Sequence, residues 1–212
     1  MSSNAPKGKV RAMQTMFRAK NDIQQFPSHL RALIESELEG RERIDWAGKP
    51  VPALFAFRSA PILLFAIPWT AFSLFWIAGA SGFEVPSFKE TADFFPLFGL
   101  PFLLIGLAML SAPLLGLRNA KKTAYVLTNK RAIIFAGGFS TTIRSFDSTR
   151  LRDLRRKQRA NGTGDLIFER RLSLDGDGDR QTTDHGFLAI ANVKEVEGMV
   201  RKLVGSTEKT RA

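Results

Sequence analysis

The sequence predicts a membrane α-helical hairpin of two transmembrane helices joined to an α+β, mainly β, soluble domain with a C-terminal capping helix. Three observations lead to this prediction. Two long apolar stretches lack charge, short β-prone runs separated by turn residues follow them, and a helical stripe of aliphatic residues comes last. The predicted parts are an N-terminal segment (residues 1–50), the hairpin (51–118), the β domain (119–205) and a tail (206–212).

The apolar stretches cover residues 59–83 and 94–117 and contain no charged residue. About 20 helical residues cross the ~30 Å hydrocarbon core of a bilayer, so each stretch is long enough to span. Residues 84–93 between them are too few for a domain. We therefore expect a hairpin with both chain ends on the same side. The absence of intramembrane charge argues against a channel or transporter.

The distribution of positive charge predicts which side that is. Nine Lys or Arg precede Arg58 and twenty occur from Arg118 onward, whereas Lys89 is the one basic residue between the spans. The positive-inside rule then places both termini in the cytoplasm. The first apolar run begins too far along the chain for a cleaved signal peptide. The absence of cysteine excludes disulfides and thiolate metal sites and agrees with a reducing compartment.

The segment before the spans contains two further predicted elements. Residues 1–22 are basic, with apolar residues at helical spacing, and fit either an interfacial amphipathic helix or a poorly ordered tail. After Pro27, Ser28 is predicted to cap a helix that ends at Gly40. Ile44 and Trp46 then alternate with charged residues, as in a half-buried extended segment.

The remainder is predicted to form antiparallel strands joined by tight turns. Runs 123–128 and 131–135 flank Asn129-Lys130 as a hairpin, and Gly137-Gly138 turns the chain into a strand over 140–146. Residues 150–159 are predicted as an edge strand, and Asn161-Gly162 leads into a strand over 165–169. A last strand covers 183–190. Asn192 is then predicted to cap a helix that ends at Gly205, with a stripe of Val193, Val196, Val200 and Leu203.

Four local patterns occur in a fixed order around the two spans. They are Gly40-x-Glu42-x-Ile44-x-Trp46-x-Gly48-x-Pro50, Tyr125-x-Leu127-Thr128-Asn129-x-Arg131-Ala132-Ile133, Gly162-x-Gly164-Asp165-Leu166-x-Phe168 and Gly186-Phe187-x-x-Ile190. Together they resemble the bacterial pleckstrin-homology-like (PH-like) domain of integral membrane proteins, over residues 39–203. The resemblance implies a PH-like β barrel with a capping C-terminal helix, no catalytic residues, and a multi-pass protein of the bacterial inner (plasma) membrane. It also implies that residues 43–46 dock on the same domain.

Motifs for metal, cofactor or catalysis are incomplete. Residues 175–179 alternate Asp and Gly like the start of a calcium loop, but Arg180 and Gly186 stand where the loop needs glycine and glutamate, which favours a polar turn. The only two histidines, His29 and His185, lack a metal-ligand spacing. Residues 162–165 have no Gly-Lys-Ser/Thr after them and are predicted as a turn rather than a phosphate loop. We therefore predict no enzyme, no cofactor and no metal site.

A cluster of six cations within ten residues is the remaining candidate site. In a domain close to a membrane it would bind anionic lipid headgroups or an acidic protein partner. Alternatively, it is a solvated edge that prevents aggregation between strands. We call it the edge cluster; its members are Arg150, Arg152, Arg155, Arg156, Lys157 and Arg159.

Two functions follow from these observations. The first is a non-enzymatic, membrane-anchored binding or scaffolding module. The second is an accessory subunit of a membrane enzyme or transporter complex whose active residues belong to another chain. The net charge of +11 is attributed to the bilayer surface rather than to nucleic acid. The expected partners are the lipid bilayer and either a protein or further copies of the chain, with no small-molecule substrate.

Overall fold

A computed structural model of the chain describes residues 23–83, 91–138, 140–174 and 180–211. The predicted basic helix in residues 1–22, most of the connection between the apolar stretches and the calcium-like loop at 175–179 lie outside these ranges. Two compact units are present. The β unit comprises Met1–Pro52 with Asn119–Ala212, and the hairpin unit comprises Ala53–Arg118.

The β unit contains two antiparallel sheets, in agreement with the predicted β domain. Strands β1 to β4 form one sheet in that order, and β5 to β7 form the other. Helix α1 precedes β1, and helix α6 follows β7. The bounds are α1 Ser28–Ser36, β1 Ile44–Gly48, β2 Ala124–Thr128, β3 Arg131–Ala136, β4 Thr142–Asp147, β5 Arg155–Gln158, β6 Gly164–Leu174, β7 Arg180–Ile190 and α6 Val193–Arg211.

Both predicted hairpin turns are confirmed. Strands β2 and β3 pair in register through Asn129-Lys130, with Tyr125 opposite Ile134. Strands β5 and β6 pair across the Asn161-Gly162 turn, where Gly162 has φ of +79°. A left-handed backbone of this kind suits glycine because it lacks a Cβ. Turn chemistry therefore sets the pairing of these two hairpins.

The four-stranded sheet is covered on both faces, which explains why every residue of β2 is buried. Alternate residues of β2 point to opposite faces. Tyr125 and Leu127 enter a core shared by the two sheets and α6. Ala124 and Val126 enter a second core beneath α1, together with residues such as Ile34. Helix α1 thus covers the outer face of the sheet.

The C-terminal helix packs its predicted stripe against the shared core but extends further than expected. Val193, Val196, Val200 and Leu203 are all buried. The predicted end at Gly205 is wrong, because α6 continues to Arg211. Gly205 does not adopt positive φ, the conformation with which glycine ends a helix.

The start and end of α1 also differ from the prediction. Ser28 lies inside the helix, and Pro27 is the residue that precedes it. The carbonyl oxygen of Pro27 accepts hydrogen bonds from the amides of Leu30 and Arg31, which makes Pro27 the N-cap residue. Proline has no side-chain acceptor, and no side-chain hydrogen bond caps this end. The helix ends at Ser36 rather than Gly40.

The segment before the first apolar stretch docks on the β unit, as the resemblance implied. Strand β1 pairs antiparallel with β2, with Trp46 opposite Leu127. The Trp46 ring lies 5.4 Å from the ring of Phe187 in the shared core. The amide of Val51 donates to the carbonyl of Ala189, which ties the end of this segment to β7.

The hairpin unit contains nearly all of two helices that are long and apolar enough to cross a membrane, Pro52–Ala80 and Phe94–Lys121. Pro52 and residues 119–121, at the ends of these helices, belong to the β unit. In the first, a short helix α2 (Pro52–Ala56) and a 3₁₀ turn lead into α3 (Ala60–Ala80). In the second, a 3₁₀ segment (Thr91–Gly99) leads into α4 (Leu100–Leu110) and α5 (Ala112–Lys121). The second helix contains the predicted stretch 94–117, whereas the first ends at Ala80, so residues 81–83 of the predicted stretch 59–83 lie in a turn after it.

Small residues line the contact between the two apolar helices. Ala66, Thr70 and Ser73 of α3 and Gly106 of α4 are buried there. A Cβ added at Gly106 would collide with the Thr70 hydroxyl, so the backbones approach closely only because this position is glycine. The Trp69 indole Nε1 donates to the carbonyl of Phe102 across the pair at 3.0 Å.

Candidate binding surface

The edge cluster lies on and before the free edge of the three-stranded sheet. Strand β5 pairs only with β6 in that sheet, with Arg155 opposite Ile167 and Lys157 opposite Asp165. All four of its residues are exposed. The predicted edge position is therefore confirmed, although the strand begins at Arg155 rather than at residue 150, because residues 151–153 form a turn that is anchored by buried Leu151.

One cation of the cluster is turned toward the C-terminal helix. Arg156 stands opposite Leu166, a member of the shared core, and therefore points to the core side of the sheet. Its guanidinium forms an ion pair with Glu197 of α6. Glu197 also binds Arg201 one turn further on, at 2.8 Å. Arg156 thus holds the helix against the sheet edge.

A second cation takes part in a network across the sheet. The Lys157 ammonium lies 3.2 Å from Asp184 of β7, and Arg170 of β6 lies 2.8 Å from the same carboxylate. Hydrogen bonds from Arg170, and after them from Lys157, hold the pKa of Asp184 below its ordinary value. The Lys157 side chain is 60% exposed, but its ammonium already has an anionic partner in Asp184.

A third cation lies near a buried carboxylate with a structural role. Arg159 is 4.0 Å from Asp165. Asp165 accepts a hydrogen bond of 2.6 Å from the amide of Ala189, which has a φ of +54°. A left-handed conformation is costly for alanine, so we infer that this bond helps to hold the bulged end of β7 in place. Asp165 is committed to the fold rather than to a ligand.

The rest of the cluster is open to solvent. Within the described residues, the guanidinium groups of Arg150 and Arg155 make no hydrogen bond or ion pair, and both residues are exposed. Arg152 is exposed and has an interaction of its own. The six residues predicted as one surface are therefore divided: Arg156, Lys157 and Arg159 face protein carboxylates, and Arg150 and Arg155 are the cations best placed to meet a ligand.

A bidentate ion pair between Arg131 and Glu42 lies outside the edge cluster and has a structural role. The Nε and Nη2 atoms of Arg131 each donate to one oxygen of the Glu42 carboxylate at 3.0 Å. The Thr128 hydroxyl donates to the same carboxylate at 2.7 Å. Arg131 also donates to the carbonyl of Glu37 at 2.8 Å. Burial opposes ionisation of Glu42, but these bonds together hold its pKa below the ordinary value. The contacts fasten the segment between α1 and β1 to the β2–β3 hairpin.

The two histidines lie on different elements of the β unit. His29 is exposed on α1, and His185 of β7 contacts the Arg144 guanidinium of β4 at 2.6 Å. Burial, and then the positive charge of Arg144, lower the pKa of His185. Across residues 23–83, 91–138, 140–174 and 180–211 no group of three metal-ligating side chains occurs. Gly162 and its neighbours form the predicted turn, whose carbonyl accepts the amide of Val193 at the start of α6.

A cavity that the sequence analysis did not predict lies in the β unit. It has a volume of about 530 Å³ and is lined mainly by apolar side chains, including Phe26, with Lys49 and Lys121 as its basic residues. The signal available in the sequence was that Lys49 precedes the first apolar helix and Lys121 ends the second. Sequence alone does not bring these two residues to one cavity.

No family model matches the chain, and comparisons with curated proteins and with solved structures likewise find no match.

Proposed function

We propose that this chain is a membrane-anchored, non-enzymatic binding or scaffolding module that recognises a protein partner or anionic lipid headgroups through the edge cluster. The observation that carries the proposal is the hairpin unit, which presents apolar side chains outward and is continuous with a folded β unit. The β unit in turn exposes Arg150 and Arg155, whose guanidinium groups have no partner among the described residues.

The distribution of side chains in the hairpin supports membrane insertion. Small residues face the other helix, whereas large apolar side chains such as Leu64, Phe72 and Leu104 are more than 60% exposed. A helix in the core of a soluble protein would have the opposite arrangement. In a bilayer, apolar side chains on the outside contact lipid tails, and small residues allow close helix packing.

We also propose a location for the chain and an orientation in the membrane. Most Lys and Arg lie outside the hairpin unit, which favours cytoplasmic termini in a multi-pass protein of a bacterial inner membrane. The natural absence of cysteine makes this testable, because a single cysteine placed at Ser140 or at Ser87 can be labelled from one side. We expect an impermeant maleimide to label Ser87→Cys in intact cells and Ser140→Cys only after lysis. The reverse pattern would overturn the orientation.

The order of elements supports a PH-like arrangement for the β unit. A sheet of four consecutive strands, a sheet of three and a C-terminal helix that closes the core follow one another along the chain. Such a scaffold has exposed loops and edges at which ligands bind without catalytic groups. We propose the PH-like barrel on this order of elements and on the resemblance of the local patterns.

The function is tested by removing the two exposed cations Arg150 and Arg155 from the full chain. We would crosslink membranes containing the Arg150→Gln, Arg155→Gln double variant, purify the protein, and identify bound proteins and lipids by mass spectrometry. The matched control is Lys194→Gln, Lys202→Gln, which removes two exposed charges from α6. We expect the cluster variant to lose its partner while the control retains it.

The outcomes separate the alternatives. Loss of a co-purified protein identifies a protein-binding module, and loss of anionic lipid identifies a headgroup-binding module. Recovery of enzyme or transporter subunits with the native chain would instead support the accessory-subunit function. Unchanged partners in the cluster variant would overturn the role of the edge cluster.

A further inference from the structure

The lining of the cavity in the β unit combines apolar residues with two lysines. Phe26, Pro27, Pro50 and Pro52 contribute apolar surface, and Lys49 and Lys121 are the charged residues of the lining. No carboxylate is among the described lining residues. The two lysines make the lining of this mainly apolar cavity positively charged. Such a cavity favours a ligand that carries an anionic group on an apolar body.

Lys49 is held in position rather than free in solvent. Its ammonium donates to the carbonyl of Gln25 and lies 4.8 Å from the centroid of the Phe26 ring. An ammonium has three donors, so two remain for a ligand. Burial lowers the pKa of Lys49, and an anion beside it would reverse that shift. Within the described residues the Lys121 ammonium makes no hydrogen bond or ion pair, and the residue is exposed.

The covalent connections of the lining residues relate the cavity to the membrane. Pro52 begins the first apolar helix, and Lys121 is the last residue of the second. If these helices cross a bilayer, as the proposed function requires, their ends lie near one of its surfaces. Phospholipid phosphates occupy that level, where each nearby cation strengthens binding to anionic lipid. The level of the helix ends in the bilayer and the positive charge of the cavity lining therefore both favour a phospholipid phosphate as the ligand.

We propose that this cavity binds the phosphate group of an anionic phospholipid, with Lys49 and Lys121 as the phosphate ligands and the proline and phenylalanine surface against the glycerol and upper acyl region. This inference rests on the proposed membrane anchoring. It assigns a lipid site distinct from the edge cluster, whose residues do not line the cavity.

The test measures lipid affinity of the full chain by native mass spectrometry of the detergent-solubilised protein, titrated with phosphatidylglycerol or phosphatidylcholine. We expect Lys49→Gln, Lys121→Gln to weaken phosphatidylglycerol binding by about thirty-fold, the factor expected for loss of two near-surface cations. Phosphatidylcholine binding should be weak in every form. The matched control is Lys122→Gln, Lys202→Gln, because Lys122 is adjacent in sequence but does not line the cavity.

Additional arms separate folding, ligand source and anchoring. Lys121→Gln alone alters an exposed residue and should weaken binding about five-fold without affecting the melting temperature; Lys49→Arg should retain binding. Equal weakening in the control, or no weakening in either cavity variant, would overturn the site. Inorganic phosphate that competes at lipid-like concentrations would show a site for free phosphate instead. Release of the native chain from membranes by alkaline carbonate would contradict the anchoring itself, independently of the lipid titration.

Discussion

Replacing Glu42 with alanine is expected to destabilise the β unit. Glu42 has a fully buried side chain and accepts two bonds of 3.0 Å from Arg131, whose side chain is 20% exposed. Removal of one partner from a buried ion pair costs about 3–5 kcal/mol because the other charge loses its compensation. Arg131 retains the carbonyl of Glu37 and some solvent contact, so we expect about 2–3 kcal/mol.

The assay is thermal unfolding of the full chain in mild detergent, followed by far-ultraviolet circular dichroism. For a chain of this size the expected loss lowers the melting temperature by roughly 5–10 °C. Hydrogen exchange should become faster in β1, which the contacts of Glu42 help to fasten beside β2. The same variant should leave exchange in α3 and α4 unchanged, because these helices belong to the hairpin unit.

Glu39→Ala is the matched control for this prediction. Glu39 also pairs with Arg131, at 3.6 Å, but its side chain is 61% exposed. Exposed pairs contribute about 0–1 kcal/mol. A melting temperature lowered equally by both variants would refute the argument that burial of Glu42 makes its ion pair important.

Three further predictions concern the hairpin and the response to acid. Gly106→Ala should loosen the α3–α4 contact and lower the melting temperature, because the new Cβ collides with the facing helix, whereas Gly79→Ala, which meets nothing within 4 Å, should be neutral or stabilising. The folded state lowers the pKa of His185, so the unfolded chain binds the extra proton more readily and stability should fall as the pH drops below about 6.5. Below that pH, the melting temperature of His185→Gln should depend less steeply on pH than that of the native chain. The folded state lowers the pKa of Glu42 and of Asp184, so both carboxylates stabilise the fold at pH values above their ordinary pKa. A second loss of stability should therefore begin near pH 4.5, as these groups become protonated. Melting temperatures that stay constant from pH 5 to pH 3 would contradict this expectation.

Elements whose signal is local were predicted well. Three kinds of feature depend on only a few neighbouring residues, and all three are present in the structure. They are the uncharged runs, the turns at Asn129-Lys130 and Asn161-Gly162, and the apolar stripe that begins at Val193. Errors occurred at ends: α1 starts without a serine cap, and α6 passes through Gly205. Helix ends depend on competing caps and on packing, which sequence patterns describe less well.

The candidate surface shows the limit of local reasoning more clearly. Six cations in ten residues look equivalent in the sequence, but strand alternation and register give them different partners. Arg156 meets Glu197 of α6, and Lys157 meets Asp184 of β7, while Arg155 is left to solvent. A charge count therefore located the cluster but could not tell which of its members are available to a ligand.

The sequence by itself determined the two apolar helices, the strand and turn pattern and the amphipathic closing helix, because periodicity, turn chemistry and the absence of charge act over a few residues. Only the tertiary structure decided that α1 covers the outer face of a sheet, that Glu42 and Arg131 form a buried pair and that Lys49 and Lys121 line one cavity. These contacts join residues far apart in the chain. Their formation depends on strand register and on packing against a common core, which no local pattern specifies.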